Sequence, residues 1–146
     1  MQNFRTDMAD ERAEIYKKAN KLEHDISGIE STEKEYNEHV KSNIVKITNK
    51  EGEKAIGKPI GTYITFDIKD LRFSTDEELE DISNKISTEI KNIVDSNITK
   101  NDEVLVVGLG NEFVTPDSLG PKVVSEIEVT RHLLKYAPEC VVDGAR

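Results

Sequence analysis

The sequence has one cysteine, Cys140. A lone thiol excludes an internal disulfide and a metal-binding cysteine cluster, and it fits a reducing, intracellular setting. Its expected state is a free, buried or half-buried side chain, because His132 is a neighbour in sequence with no defined geometry as a base. Long apolar runs are missing as well. Nowhere do about 18 uncharged apolar residues follow one another, and Met1 to Ala9 lacks an apolar stretch of signal-peptide length. A membrane span is therefore not expected, and the chain reads as cytoplasmic. Positive charge is in deficit: 20 basic residues face 29 acidic ones, for a net charge of -9. Such a surface repels polyanions, so neither nucleic acid nor an anionic membrane is expected as a partner, whereas a basic protein would be attracted. Most of these charges read as simply solvated.

What remains is one ordinary domain's worth of chain, 146 residues. Asp10 to Leu22 carries Ala13, Ile15, Tyr16, Ala19 and Leu22 at the spacing of an amphipathic helix. His24 to Ser42 is polar and reads as a connecting segment, with His24 and His39 as ordinary exposed histidines. Ile44 to Thr48 is a short β-favouring run, followed by a turn signal over Asn49 to Gly52. In Ile60 to Ile68, Ile60, Thr62, Ile64, Phe66 and Ile68 share one face of a strand and Gly61, Tyr63, Thr65 and Asp67 the other. These two runs are expected to pair. Ser74 to Asn97 is the strongest helix signal. Leu79, Ile82, Ile86, Ile90 and Ile93 form its apolar stripe, and Ser74 or Thr75 serves as cap with a glutamate three residues on.

Val104 to Val107 is short and uniformly apolar, which predicts a strand covered on both faces. A glycine-rich bend and Asp117 follow, and then a helix whose inward face is Leu119, Val123, Val124 and Ile127, with Pro121 in its first turn. Helical character extends over Val129 to Tyr136 and stops near Pro138. The order of elements predicts a layered α/β domain around a mainly parallel or mixed sheet. Gly108 and Gly110 could begin a dinucleotide loop, but the third glycine's place is taken by Phe113 and no Gly-Lys-Ser/Thr ending exists. Two readings of Asp117 stay open on spacing alone. It is either the N-cap of the following helix or a carboxylate presented for chemistry.

The run Val106-Val-Gly-Leu-Gly-Asn-Glu-Phe-Val-Thr-Pro-Asp-Ser-Leu-Gly-Pro121, continued by Val129-Thr-Arg-His-Leu-Leu-Lys-Tyr136, closely resembles the germination proteases of spore-forming bacteria. Arg5-Thr-Asp-Met-Ala9 resembles that family's self-cleavage sequence, and Gly57 to Thr65 its early strand region. The resemblance implies an endopeptidase made as an inactive precursor, acting on small acid-soluble spore proteins in the spore core. It implies a layered αβα domain similar to the hydrogenase maturation proteases, a homotetramer, and residues 1–9 as a propeptide ahead of the protease domain over 10–146. On this likeness Asp117 is one of two catalytic aspartates, in a loop formed by Gly108, Gly110, Asn111, Thr115, Pro116 and Gly120. Thr6, Asp7, Met8, Ala9 and Asp10 form the processing site, cut between Ala9 and Asp10. No cofactor is implied; a metal held by Asp117 is the lesser option, and His132 reads as structural. Glu112 and Phe113 depart from the tryptophan and asparagine common in the family. The second aspartate lies beyond the segment matching Gly144-Ala-Arg146, Asp143 not matching its motif, so the chain reads as the amino-terminal half of a protease. Such a half is expected to expose apolar surface.

Overall fold

Helix α1 (Ala9–Ala19) opens a computed structural model that describes residues 6–21, 26–99 and 102–140. Leu22, His24, Asp143 and the Gly144 to Arg146 segment lie outside the described residues. The chain forms two compact units, Met1–Val94 and Asp95–Arg146.

In the first unit, α1 carries Asp10 and Glu11 in its first turn and Lys17 and Lys18 in its last, each favourable to the helix dipole. Ala13 is buried, while Ile15 points outward. Three strands follow as an antiparallel sheet in the order β1 (Ile29–Glu35), β2 (Val40–Ile47), β3 (Gly61–Ile68). The expected pairing of the second and third is present, with Ile44 opposite Ile64 and Ile47 opposite Gly61. The sheet is antiparallel throughout the described residues, which corrects the expectation of a parallel or mixed one. Only Tyr36 to His39 separate β1 from β2, a hairpin-length link, whereas parallel neighbours need a crossover of a dozen residues or more.

Strand β1 corrects the reading of residues 24–42 as a connecting segment. Its sequence, Ile-Glu-Ser-Thr-Glu-Lys-Glu, has no apolar alternation because the strand is mostly exposed. It is held by backbone pairing and by charge across the ladder, where Glu30 faces Lys46 and Lys41 bridges Glu33 and Glu35. Such charged strands suit a sheet edge, where they oppose pairing with other chains.

The Asn49 to Gly52 signal is a helix start rather than a plain turn. The Asn49 side-chain oxygen accepts hydrogen bonds from the amides of Glu51 and Gly52, both at 3.0 Å, and so caps α2 (Lys50–Ile56). Gly57, at φ 68°, closes it in the left-handed conformation. With α1 this helix covers one face of the sheet. Ala9, Ala13, Ile26, Ile29, Val45, Ile47, Ala55 and Ile56 form one buried cluster, with Tyr16 and Tyr63 packed against it.

Helix α3 (Asp76–Asn97) has the expected cap at Thr75: its hydroxyl accepts from the Glu78 amide at 3.3 Å, and the Glu78 carboxylate accepts from the Thr75 amide at 2.7 Å. Its apolar stripe is only partly covered. Ile82 is buried and Ile86 and Ile93 are half-buried, but Leu79 and Ile90 are exposed. The reason is a polar contact with the other sheet face. Buried Glu89 accepts from Lys34 Nζ at 2.9 and 3.1 Å and from the Tyr36 hydroxyl at 2.7 Å, and that hydroxyl lies 3.2 Å from Ser42 Oγ. The Lys34 and Tyr36 hydrogen bonds hold the Glu89 carboxyl below its ordinary value against the opposing effect of burial.

In the second unit, Val104 to Val107 forms no strand, contrary to expectation. A strand needs a partner for its amides and carbonyls, and no described segment pairs with this one. Leu105 is 86% exposed as a result. Helices α4 (Leu119–Ser125) and α5 (Arg131–Tyr136) are short. The supposed inward face of α4 is also corrected: Leu119, Val123 and Ile127 are exposed and Val124 is half-buried. Its neighbour is a 3-10 turn, Thr115–Asp117, and no sheet lies among the described residues of this unit. No helix among the described residues is long and apolar enough to cross a membrane.

Candidate functional site

The bend after Val107 is a seam of backbone against backbone. A Cβ on Gly108 would stand 2.1 Å from the Gly120 carbonyl oxygen, and one on Gly120 would stand 2.2 Å from the Leu109 oxygen. Gly110 adopts φ 142°, and a Cβ there would meet the Asp117 carbonyl oxygen at 2.0 Å. Only residues without side chains allow this approach, so the glycines set the path of the loop.

Hydrogen bonds then tie the loop to itself. The Asn111 amide donates to the Asp117 carbonyl at 3.0 Å, the Val114 amide to the Asn111 carbonyl at 3.1 Å, and the Asp117 amide to the Val114 carbonyl at 2.8 Å. Asn111 Oδ1 accepts from the Phe113 amide at 3.0 Å. Pro116 sits in the first turn of the 3-10 segment, and buried Ser118 donates its hydroxyl to the Thr115 carbonyl at 3.0 Å. All the loop residues singled out in the sequence are thus brought together around the Asp117 backbone.

The carboxylate of Asp117 is left outside this network. Ser118, not Asp117, occupies the N-cap position of α4, and no side chain caps that helix. The N-cap reading of Asp117 is therefore corrected: the 3-10 turn inserts itself before the helix and carries the aspartate past the free amides. Asp117 is exposed and makes no side-chain hydrogen bond among the described residues. Phe113, in the third glycine's place, is 87% exposed.

Other candidates lie on other elements. His132 is exposed on α5. Cys140 is exposed in the 3-10 turn Pro138–Cys140, which corrects the expectation of a buried or half-buried thiol; no buried cluster lies among the described residues of this unit to cover it. His39 is exposed and 3.3 Å from Glu38. Among the described residues no three His, Cys, Asp or Glu side chains gather at ligand distance, so a metal at Asp117 would draw its remaining ligands from elsewhere. A cavity of about 320 Å³ in the first unit is lined by His39, Lys69, Asp70, Phe73, Glu78 and Ile82, among others, and holds none of the residues expected at the catalytic or processing site.

The geometry of the Thr6 to Asp10 segment is a helix start. The Met8 amide donates to Thr6 Oγ1 at 3.1 Å, and the Arg12 amide donates to the Met8 carbonyl at 3.1 Å. Ala9 and Asp10 are already residues of α1, and Ala9 is only 3% exposed. Sequence reasoning missed Arg12. Its Nε donates to the Thr6 carbonyl at 2.7 Å, and one terminal nitrogen donates to the Ile56 and Gly57 carbonyls at 3.3 and 3.1 Å. The other lies 3.4 Å from Asp7 Oδ1. A basic residue directly after the acidic pair Asp10-Glu11 was the available signal, but the carbonyls it meets are 44 and 45 residues away.

Comparison with known proteins identifies the family. The germination protease family matches residues 5–146. A germination protease of Clostridium perfringens is 41% identical over 146 residues, covering all of this chain and 44% of that protein. The Caldanaerobacter subterraneus germination protease is 46% identical over 137 residues, covering 92% of this chain and 39% of its own. That of Priestia megaterium is 41% identical over 150 residues, covering 99% and 40%. The chain thus spans less than half the length of these curated relatives. With its glycine seam, aspartate loop and amino-terminal segment all inside the matched region, the chain belongs to the germination protease family.

Proposed function

We propose that this chain is the amino-terminal part of an endopeptidase that begins the degradation of small acid-soluble spore proteins during germination. The observation that carries the reading is the presentation of Asp117: the backbone is fixed by the glycine seam while the carboxylate keeps its acceptor capacity. Peptide hydrolysis by carboxylates needs two groups in different protonation states. One takes a proton from the attacking water and the other gives a proton to the departing amine. Asp117 supplies one of them, and the second belongs to the part of the relatives that this chain does not span. A metal held through Asp117 is the lesser mechanism.

On the same reading, residues 1–9 are a propeptide removed between Ala9 and Asp10, and residues 10–146 belong to the protease domain. The completed domain is a layered αβα fold related to the hydrogenase maturation proteases. It assembles as a homotetramer and works in the cytoplasm of the spore core without a nucleic-acid or membrane partner. The full-length polypeptide mixed with a small acid-soluble spore protein tests this by mass spectrometry. Asp117→Asn is expected to lower cleavage by at least about a hundredfold, the size of a lost general acid or base. Undiminished cleavage would remove Asp117 from the mechanism.

The exposed apolar residues of the second unit favour a second reading, a non-catalytic assembly or substrate-binding module. In that case the polypeptide would bind the spore protein without cutting it, and Asp117→Asn would leave binding unchanged.

A further inference from the structure

We infer that Arg12 is a latch that keeps the first turn of α1 closed over the Ala9–Asp10 peptide bond. The guanidinium joins two pieces of chain that are separate in sequence, the Thr6-Asp7 entry to α1 and the Ile56-Gly57 end of α2. It holds the Thr6 carbonyl ahead of the helix, the Asp7 carboxylate, and the Ile56 and Gly57 carbonyls at the end of α2. Those last carbonyls lie where a helix leaves acceptors without internal partners and where its dipole favours a cation. Arg12 therefore completes α2 and anchors the entry to α1 with one planar group. Lysine could not place several donors at these angles. The side chain is 15% exposed, so its hydrogen bonds are better shielded than those of surface pairs; the Asp7 partner is fully exposed and adds little.

The latch bears on the bond next to it. Ala9 lies in the same buried cluster as Ile56, and the Met8 carbonyl is already engaged by the Arg12 amide. A protease needs its scissile bond extended and reachable, and a bond in a closed helical turn with its preceding side chain buried is neither. Cleavage there follows the population of a locally opened state, in which Thr6 to Asp10 leaves the helix and Ala9 leaves the core. Breaking the Arg12 contacts releases both ends of that segment. The consequence for self-processing rests on the proposed propeptide; the latch itself stands on the contacts alone.

Hydrogen exchange followed by mass spectrometry on this chain tests it. Arg12→Ala is expected to speed exchange of the Arg12 and Ala13 amides by about ten- to a hundredfold, the effect of losing charge-assisted hydrogen bonds, while amides of β2 and β3 keep their rates. Arg12→Lys keeps the charge and the apolar stem, and should give a smaller increase at the same amides. It decides the matter if Arg12→Ala does not fold. Unchanged exchange in α1, or equal acceleration throughout β2 and β3, overturns the latch. Local acceleration with no cut after Ala9 in the full-length polypeptide supports the latch and removes the processing reading.

Discussion

The first unit gathers eight buried side chains from α1, the β1 approach, β1, β2 and α2 into one cluster, whereas the second leaves Leu105, Val107, Leu109, Phe113, Leu119 and Val129 exposed. Both stretches are rich in branched apolar residues, so composition does not separate them. What separates them is the partner. In the first unit the strands pair with one another, and Ile29, Val45 and Ile47 pack with Ala9, Ala13, Ala55 and Ile56 from two helices. In the second, the loop that holds Asp117 is shaped by backbone contact between glycines, not by a side-chain core. Order in a loop can thus come from hydrogen bonds and close approach even where little apolar surface is removed from water.

The comparison predicts unequal responses to substitution. The largest is expected at Ile56, which is fully buried at the centre of the first cluster. Ile56→Ala should lower the stability of the first unit by about 2–5 kcal/mol, the cost of lost burial plus a cavity. Urea unfolding followed by far-ultraviolet circular dichroism would measure it. A loss below about 1 kcal/mol, the range of ordinary surface changes, would break the claim that this unit has a core of its own.

A smaller effect is expected on the opposite face of the sheet, where α3 is held by Glu89. Its carboxyl is lowered below the usual range by the hydrogen bonds from Lys34 and then Tyr36. A depressed carboxyl stabilises the fold fully above its unfolded value and loses that contribution as pH falls through the folded value. Glu89→Gln should therefore cost about 1.5–3 kcal/mol near neutral pH, the size of hydrogen bonds to a charged group. The difference from wild type should shrink toward zero below the carboxylate range. A difference independent of pH would mean that packing, not charge, seats the helix.

The sequence showed these regions unevenly, for physical reasons. The long helix and its Thr75–Glu78 box were legible because caps and periodicity are local. The β2 and β3 pairing was legible because β-branched residues and glycine turns mark it. Strand β1 was not, since an exposed edge strand carries charges in place of an apolar alternation. The burial of α3 was overestimated because its central contact is ionic, and a glutamate in a helix looks like any solvated one. At the candidate site, the glycine loop and Asp117 could be read from residue types. The 3-10 turn that moves Asp117 off the cap could not, because its hydrogen bonds depend on where the loop returns. Arg12 was invisible for a related reason: its acceptors are backbone carbonyls far along the chain.

The smallest effect is expected in the second unit, and it probes the comparison most directly. Leu105 has the residue type of a core position and almost no covering. Leu105→Ser should change unfolding free energy by no more than about 0.5 kcal/mol, as for other surface positions. The same substitution removes apolar area from a continuous exposed run, and such runs favour association. Sedimentation velocity on this chain should therefore show less self-association for Leu105→Ser than for wild type, at unchanged stability. A loss of 2 kcal/mol or more would place Leu105 among the buried residues. The contrast between a unit with its own core and a unit shaped by glycine seams would then disappear. A change confined to association would instead assign the apolar run to contact between chains, leaving the backbone seam to hold Asp117 in place.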